Sequence, residues 1–249
     1  MALLEMNQVR VEFDGFVALD NLDFAVDDGE LRCLIGPNGA GKTTALDAIC
    51  GKTQVARGGI VFAGHRIDRL SENAIARLGI GRKFQVPSVF HELTVRNNLQ
   101  AAYCKFPGVF RNLLDRRCRQ DDEELEKLAE FVGLREQFRQ PAAELSHGQT
   151  QWLEIGMLLA LDARLLMLDE PTAGMTAGET RKTAELCIRL KGRHTLIVVE
   201  HDMGFIKEIA DVISVMHEGR LLAQGSVSEV EQNPDVRVAY LGSRGIRGA

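Results

Sequence analysis

The stretch LRCLIGPNGAGKTT, residues 31–44, decides the fold of this chain. Its first five residues are an apolar run that predicts a buried strand, and the residues from Lys42 onward predict a helix that ends at Gly51. The turn between them, Gly36–Thr43, fits the pattern G-x-x-x-x-G-K-[ST]. A strand, a glycine loop and a helix in this order open a nucleotide-binding α/β unit.

The glycine loop is suited to bind phosphate groups. Its glycines let backbone N–H groups turn inward around an anion, at the positive end of the following helix. Lys42 adds a positive charge for the β- and γ-phosphates, and the hydroxyl of Thr43 is a suitable Mg²⁺ ligand. The predicted phosphate-binding residues are Gly36, Pro37, Asn38, Gly39, Ala40, Gly41, Lys42, Thr43 and Thr44.

Two adjacent carboxylates follow another apolar run further along the chain. Leu165–Leu168 predicts a buried strand, and Asp169 and Glu170 come directly after it. In enzymes with this type of phosphate loop a carboxylate at a strand end coordinates Mg²⁺, which we expect of Asp169. Glu170 is then placed to polarise the attacking water. The alternative is that Asp169 and Glu170 only begin a charged surface loop, and the glycine loop upstream argues against this.

Composition excludes several classes of function. The 249 residues carry 30 Lys and Arg against 35 Asp and Glu, whereas nucleic-acid binders usually show a basic excess. No uncharged apolar run approaches the roughly 18 residues that span a bilayer, and the start of the chain does not resemble a signal peptide. The five cysteines are scattered without a CxxC pair, so we expect reduced thiols rather than zinc or disulfide sites.

The pattern of apolar residues changes along the chain. Alternation in the first 35 residues predicts strands, and apolar strands separated by helices in the later part predict a sheet covered on both faces. We predict an α/β core of residues 1–86 and 144–242, into which a helical subdomain, residues 87–143, is inserted. A helix starting at Leu145 is attached to this subdomain, and residues 243–249 form a flexible tail.

The segment Leu145-Ser-His-Gly-Gln149 precedes the two carboxylates. Ser146 and Gln149 have the spacing of a capping box, so a helix begins here with N–H groups free for an anion. The segment resembles the LSGGQ signature of ATP-binding-cassette (ABC) ATPases. Other motifs of that family follow in order along essentially the whole chain: Phe13 at the adenine-stacking position, Gln85 in the Q-loop, Pro171–Thr176 in the D-loop and His201 as the switch histidine.

The resemblance implies a fold, a reaction and a set of roles. The fold is the P-loop NTPase core of ABC ATPases, an α/β fold with an N-terminal antiparallel β subdomain and an inserted helical subdomain. The reaction is hydrolysis of ATP with Mg²⁺. Phe13 is expected to stack on the adenine, with Phe16 as the rival. The other implied roles are Mg²⁺ binding by Thr43, Gln85 and Asp169, catalysis by Glu170, His201 and Gln85, and contact with the nucleotide of a second subunit by Ser146, Gly148 and Gln149.

Two residues depart from the family pattern. His147 replaces the second glycine of the signature, which changes the volume and the hydrogen-bond donors near the phosphate of a partner subunit. Thr176 stands where many D-loops carry Asp. This second departure puts the usual communication between the two nucleotide sites in doubt.

A single cassette of this length resembles the ATPase subunit of a bacterial importer. The segments Ile75–Pro87 and Phe90–Val95 resemble the ATPases of branched-chain amino-acid uptake systems, whereas Leu145–Met157 and Val199–Met203 resemble the urea-uptake branch. The resemblance favours urea as the transported substrate, with branched-chain amino acids as the alternative. A soluble ATPase acting on nucleic acid or ribosomes is disfavoured by the acidic charge. A nucleotide sensor without turnover is disfavoured by the intact catalytic residues.

The importer resemblance also implies partners and a location. The partners are a sister ATPase subunit in a heterodimer, two transmembrane permease subunits and, indirectly, a periplasmic solute-binding protein, without nucleic acid. Because the sequence has no membrane-spanning run, we expect the chain to bind peripherally to its permeases at the cytoplasmic face of the inner membrane.

Overall fold

A computed structural model of the chain describes residues 1–83, 89–103 and 122–241. The strands are β1 (Ala2–Phe13), β2 (Phe16–Asp27), β3 (Leu31–Ile35), β4 (Arg57–Phe62), β5 (His65–Arg66), β6 (Ile80–Lys83), β7 (Leu165–Asp169), β8 (Thr195–Val199), β9 (Val212–His217) and β10 (Arg220–Gly225). Four strands form an antiparallel sheet in the order β2-β1-β4-β5. Six form a second sheet in the order β10-β9-β3-β8-β7-β6, which is parallel except at the β9–β10 edge.

Four of the helices in the described residues begin at a residue whose side chain caps them: Ser146, Thr176, Asp202 and Ser226. The helices of the described residues are α1 (Lys42–Ile49), α2 (Glu72–Arg77), α3 (Val95–Tyr103), α4 (Asp122–Phe131), α5 (His147–Ala160), α6 (Ala177–Leu190), α7 (Met203–Ile209), α8 (Val227–Gln232) and α9 (Pro234–Leu241). A capping box begins α5 at Ser146, which confirms the predicted helix start, and another begins α6 at Thr176. The structure adds a third capping box, at Ser226 before α8.

The central strands are buried on both faces, and their alternation serves two cores. On β3, Cys33 and Ile35 face a core shared with α3, α4, α5 and α6. Leu34, between them, faces a second core shared with α1 and the antiparallel sheet. Because successive side chains of a strand point to opposite faces, one short strand joins the two halves of the molecule. Because both faces of these strands are buried, the strands appear in the sequence as continuous apolar runs.

The topology brings the chemistry-bearing loops to one edge of the six-stranded sheet. The strands β3, β8 and β7 are parallel neighbours in that order. Their carboxyl ends are Ile35, Val199 and Asp169, and the segments that follow them therefore meet at the same edge. Ligands of open α/β sheets bind at such edges. The predicted fold class is confirmed.

The domain boundaries given by the sequence stay a prediction, because the boundary at residues 86 and 87 lies outside the described part of the chain. In the described part, α3 and α4 pack on α5. A Cβ atom at Gly156 of α5 would lie 3.0 Å from the Leu99 side chain of α3, so these helices approach closely. No helix among the described residues is long and apolar enough to cross a membrane.

Candidate functional site

The glycine loop between β3 and α1 has a backbone that requires glycine at two positions. Gly36 has φ 154°, and a Cβ atom there would lie 2.3 Å from the carbonyl oxygen of Met216. Gly41, the N-cap of α1, has φ 98°, and its Cβ atom would lie 2.9 Å from the carbonyl oxygen of Ala18. Within described residues 41–49, no side chain caps the helix and no acidic residue occupies its first turn. The N–H groups at this helix end are therefore available to an external anion.

Lys42 is folded over the glycine loop. Its ammonium donates to the carbonyl oxygens of Gly36 at 2.7 Å and of Pro37 at 3.1 Å. Burial lowers the pKa of this ammonium, against the charges of Glu170 and Asp169, which raise it. A half-buried cation in this position is suited to bind a phosphate group.

A cleft of about 420 Å³ opens beside the glycine loop. It brings together the start of β2, the glycine loop and the ends of β7 and β8. Its lining residues are Phe16, Ala18, Asn38, Gly39, Ala40, Gly41, Lys42, Thr43, Thr44, Asp169, Glu170 and Val199. Most of the predicted phosphate-binding residues therefore meet both predicted carboxylates in one cleft.

Asp169 is buried at the end of β7, where Arg82 of β6 supplies its counter-charge. The Nη2 of Arg82 lies 3.2 Å from Oδ2 of Asp169, and Nη1 pairs with Asp47 on α1. The side chains of Arg82 and Asp169 are only 5% and 3% exposed, so water screens this pair weakly. The three charged groups tie β6, β7 and α1 together next to the cleft.

Glu170 has φ 47°, a backbone conformation that is uncommon for a residue other than glycine. Its N–H donates to the carbonyl oxygen of Val199 at 2.9 Å, and its own carbonyl oxygen accepts the N–H of Ala173 at 3.2 Å. The turn is thus fixed on both sides, and Glu170 lines the cleft. An outlier held by its surroundings in this way supports the hypothesis of a functional residue.

His201 follows β8 directly, with its side chain 76% exposed. Among the described residues it is not part of the cleft lining. The preceding residue, Glu200, is buried and accepts the N–H of His201 at 3.1 Å. Its other oxygen accepts the N–H of Thr172 at 2.9 Å and the hydroxyl of Thr172 at 2.6 Å. Glu200 therefore joins the end of β8 to the turn that follows β7.

The two aromatic candidates for the adenine, Phe13 and Phe16, are paired across the β1–β2 hairpin. Both are exposed, Phe13 by 47% and Phe16 by 67%. Within the described chain, Phe16 and not Phe13 belongs to the cleft lining. Stacking of Phe13 on the adenine, with Phe16 as the rival, stays a prediction.

The signature residues Ser146, Gly148 and Gln149 lie at the N-terminus of α5 and, in the part of the chain described, outside the cleft lining. The side-chain oxygen of Gln149 accepts the N–H of Ser146 at 2.9 Å. The hydroxyl of Ser146 accepts the N–H of Gln149 at 3.2 Å and donates to Glu179 at 2.8 Å. Within one chain the polar groups of the signature thus contact each other and α6.

His147 connects the signature to the D-loop. Its Nε2 lies 3.0 Å from the carbonyl oxygen of Ala173 and 2.8 Å from the amide nitrogen of the buried Gln151. If Nε2 of His147 carries the hydrogen, it donates to the carbonyl oxygen of Ala173. Rotating the side-chain amide of Gln151 by 180° exchanges its nitrogen and oxygen, so that the amide oxygen can accept the same N–H. That amide oxygen has no partner in the described structure as it stands, which supports the turned orientation.

The donor set at the cleft fits Mg²⁺. The hydroxyl of Thr43 and the carboxylate of Asp169 are oxygen ligands, and both residues line the cleft. Mg²⁺ in phosphoryl-transfer enzymes is held by one or two such groups together with oxygens of the substrate phosphates. Gln85, the third predicted ligand and also a predicted catalytic residue, lies outside the described residues.

Comparison with known proteins assigns the family. The family model for ABC transporters matches residues 19–173. The chain belongs to the ABC transporter family. It is similar to LivG of Salmonella typhimurium, a high-affinity branched-chain amino acid transport ATP-binding protein, with 36% identity over 249 residues that cover 96% of this chain and 98% of LivG. It is similar to BraF of Pseudomonas aeruginosa, a protein of the same description, with 36% identity over 251 residues and the same coverage.

A solved structure agrees with this assignment. The ATP-binding cassette of an ABC transporter in its ADP conformation matches with a TM-score of 0.83 and 29% identity, over 97% of this chain and 99% of that chain. As an ABC transporter ATP-binding subunit, the protein is an ATPase, as the sequence predicts. Within the family it belongs to the group of ATP-binding subunits that includes LivG and BraF.

Three residues at the site of this ABC ATPase are not singled out by the sequence analysis. Arg82 and Glu200 are charged residues next to or within buried strands, and that position is the signal that could have found them. Glu179 is visible in the sequence only as the end of a capping box. Its contact with Ser146 joins residues 33 positions apart, and no local pattern predicts such a contact.

Proposed function

We propose that this ATPase energises the import of branched-chain amino acids through partner permeases. The observation that carries the proposal is the 36% identity to LivG, a branched-chain amino acid transport protein, over 96% of this chain. The cleft supports ATP hydrolysis and says nothing about cargo, because an ATPase subunit does not normally touch the cargo. The substrate is therefore inferred from relatives.

ATP occupies the cleft beside the glycine loop. The N–H groups at the start of α1 and the ammonium of Lys42 hold the β- and γ-phosphates, since both present positive charge to the cleft. The ring of Phe13 stacks on the adenine, and the rival for this role is Phe16, which lines the cleft. Mg²⁺, held by Thr43 and Asp169 with Gln85 as a further ligand, neutralises phosphate charge when it is bound.

Glu170 accepts a proton from the attacking water. Its carboxylate lines the cleft one residue beyond Asp169, and the hydrogen-bonded turn holds it there. The water oxygen attacks the γ-phosphorus, the bond to the β-phosphate oxygen breaks, and ADP and phosphate leave. His201 and Gln85 complete the catalytic set, and Glu200 fixes the backbone at His201.

A second ATPase subunit completes the site. Ser146, Gly148 and Gln149 of one subunit contact the γ-phosphate bound to the other, so bound ATP favours the closed pair and hydrolysis returns the open one. We propose that the second subunit is a different chain, because uptake systems of the kind that this sequence resembles pair two ATPases. Two permeases and, indirectly, a periplasmic solute-binding protein complete the importer at the cytoplasmic face of the inner membrane.

Urea is the second candidate for the transported substrate. The observation in its favour is the amino-acid sequence of the signature segment, in which His147 and Trp152 resemble the urea-uptake branch. The relatives LivG and BraF support branched-chain amino acids better. We therefore place urea second.

Uptake by intact cells tests the substrate. The gene for this ATPase is deleted, and uptake of radiolabelled leucine and of radiolabelled urea is measured in the deletion strain and after complementation. We expect leucine uptake to fall, with recovery by the wild-type gene and none by Glu170→Gln. Loss of urea uptake alone would reverse the order of the two candidates, and unchanged uptake of both would contradict the importer proposal for these substrates.

Light scattering and phosphate release on the purified chain test the heterodimer. With Mg-ATP we expect a monomer or a weak dimer with low turnover that rises when a sister ATPase and the permeases are added. A tight homodimer with full turnover on its own would contradict the heterodimer and leave the ATPase assignment standing.

A further inference from the structure

Glu179 bridges the N-termini of two helices. One carboxylate oxygen, Oε2, accepts the N–H and the hydroxyl of Thr176, each at 2.9 Å, and thereby caps α6. The other oxygen, Oε1, accepts the hydroxyl of Ser146 at 2.8 Å, at the start of α5. The backbone N–H of Gly148 lies near this carboxylate and helps to lower its pKa. A single side chain thus serves as an anion for the helix that carries the signature.

Position 148 has room for this carboxylate only because it is glycine. A Cβ atom there would lie 2.6 Å from Oε1 of Glu179, which is shorter than any ordinary contact. The pKa of Glu179 is lowered by its hydrogen bonds with the Thr176 backbone and with the Ser146 and Thr176 hydroxyls, which supports a charged carboxylate at this place.

The capping box of α8 shows that the contact with α5 is not needed for capping. There Glu229 accepts the N–H of Ser226 at 2.7 Å and the hydroxyl of Ser226 at 2.8 Å, in the same arrangement as at α6. In the described structure the hydrogen bonds of Glu229 stay within its own capping box. Glu179 therefore makes the same cap with one oxygen and holds the signature with the other.

The donors that Glu179 engages are those that the proposed function assigns to phosphate. A serine hydroxyl has one hydrogen to donate, so Ser146 cannot donate to Glu179 and to a γ-phosphate at the same time. The charged carboxylate would also repel a phosphate placed beside it. A phosphate from a partner subunit can reach Ser146 and Gly148 only after the carboxylate moves away.

We propose that Glu179 is an internal competitor for the signature site: in the separate subunit it accepts the hydroxyl of Ser146 and lies against Gly148, and it must leave before a partner's ATP can bind there. The proposal rests on the proposed function, in which these two residues contact the γ-phosphate across the subunit pair. As a consequence, association of the two subunits requires a higher ATP concentration than it would if the carboxylate of Glu179 did not occupy these donors.

The variant Glu179→Gln, made in the Glu170→Gln background, tests the competition. Glutamine keeps an acceptor oxygen for the cap of α6 and removes the negative charge that competes with phosphate. The control is Glu229→Gln in the same background, since it makes the same change in the matching capping box of α8. The Mg-ATP concentration that gives half-maximal association is measured by light scattering for all three proteins, alone and with the sister ATPase added, after thermal melts show that each is folded.

We expect Glu179→Gln to lower this ATP concentration about tenfold, which corresponds to about 1.4 kcal/mol, and Glu229→Gln to leave it unchanged. When Ser146→Ala is added to the background protein and to its Glu179→Gln variant, the difference between the two should shrink, because the competed hydroxyl is then absent from both. An unchanged or higher ATP requirement for Glu179→Gln would overturn the proposal in favour of a role in positioning Ser146.

Absence of association in all the variants would also overturn it, because Glu179 would then not be what limits pairing. Failure of the proposed function looks different. In that case calorimetry on the same samples would detect no Mg-ATP binding to the Glu170→Gln chain.

Discussion

Two helix N-termini of this molecule are suited to phosphate, and they are built in opposite ways. The helix α1 begins at Gly41 in a left-handed conformation, without a side-chain cap and without an acidic residue in its first turn, within the residues described there. The helix α5 begins at Ser146 with a complete capping box, and the carboxylate of Glu179 is added to it from α6. The first end is left open to the cleft, and the second is satisfied inside the chain.

Under the proposed function, the first helix end binds nucleotide within one chain, whereas the second contacts the nucleotide bound to a partner subunit. Unsatisfied N–H groups at a helix start are tolerated where water or a ligand can reach them, as in the cleft beside α1. At the start of α5 the Ser146 hydroxyl and the N–H groups of Ser146 and Gln149 already have acceptors within the chain, so these donors do not depend on a ligand to satisfy them. Under the proposed function, we expect the nucleotide affinity of the single chain to reside at α1 and α5 to contribute after subunits pair.

The largest effect is expected in the cleft beside the start of α1, from Glu170→Gln. Loss of the proton acceptor should lower turnover by about 10² to 10⁴, while ATP binding persists because the α1 contacts are intact. Phosphate release and calorimetry measure the two quantities. The matched control is Glu208→Gln on the exposed face of α7, which should behave as wild type. Turnover of Glu170→Gln near the wild-type rate would dismiss Glu170 as the catalytic residue.

Two glycines of the loop before α1, Gly36 and Gly39, differ in how closely other atoms approach them, and a substitution at each tests this difference. Gly36→Ala places a Cβ atom 2.3 Å from a backbone oxygen, whereas Gly39→Ala, also at positive φ, meets nothing within 4 Å. We expect Gly36→Ala to lower the free energy of unfolding by about 3 kcal/mol or more, and Gly39→Ala by about 1 kcal/mol. Urea denaturation measures both. Equal losses would show that the close approach at Gly36 is not a constraint.

Lys42→Ala should weaken ATP binding by about 10- to 100-fold, because it removes a charged hydrogen-bond donor worth about 1.5–3 kcal/mol. Calorimetry with Mg-ATP gives the affinity. Lys207→Ala, which removes an exposed lysine of α7 paired with Glu231, is the control and should leave the affinity unchanged. An unaltered affinity in Lys42→Ala would place the phosphates elsewhere.

The smallest effect is expected from the caps. Thr176→Ala and Ser226→Ala each remove an N-cap side chain, at a cost of about 1 kcal/mol of unfolding free energy. Thr176→Ala should cost no less than Ser226→Ala, because Glu179 holds α5 as well as α6. Thermal and urea unfolding of both variants make the comparison. A clearly smaller loss in Thr176→Ala would weaken the view that Glu179 joins the two helices.

The comparison also shows which features a sequence can predict. The glycine loop, the buried strands and the capping boxes at Ser146 and Thr176 are local patterns, read over a few neighbouring residues, and the structure has all of them. The predicted carboxylates at Asp169 and Glu170 meet the glycine loop because parallel strands end at one edge, a rule that topology supplies.

The features that escaped prediction are contacts between distant segments. Arg82 reaches Asp169 across 87 positions, and Ser146 reaches Glu179 across 33. Phe13 and Phe16 are paired in one hairpin, and a local pattern does not tell which of them lines the cleft. Each of these outcomes depends on how elements pack, which spacing along the chain does not encode.

The central claim is that the single chain binds nucleotide at the start of α1 while the start of α5 stays closed. Amide chemical shifts of the ¹⁵N-labelled chain, titrated with Mg-ADP, test it most directly, because ADP lacks the γ-phosphate that the signature is proposed to bind. We predict progressive shifts for residues 38–44 and none for residues 146–149, and we expect Lys42→Ala to require a higher Mg-ADP concentration for the first set. Shifts at residues 146–149 without shifts at residues 38–44 would contradict the account.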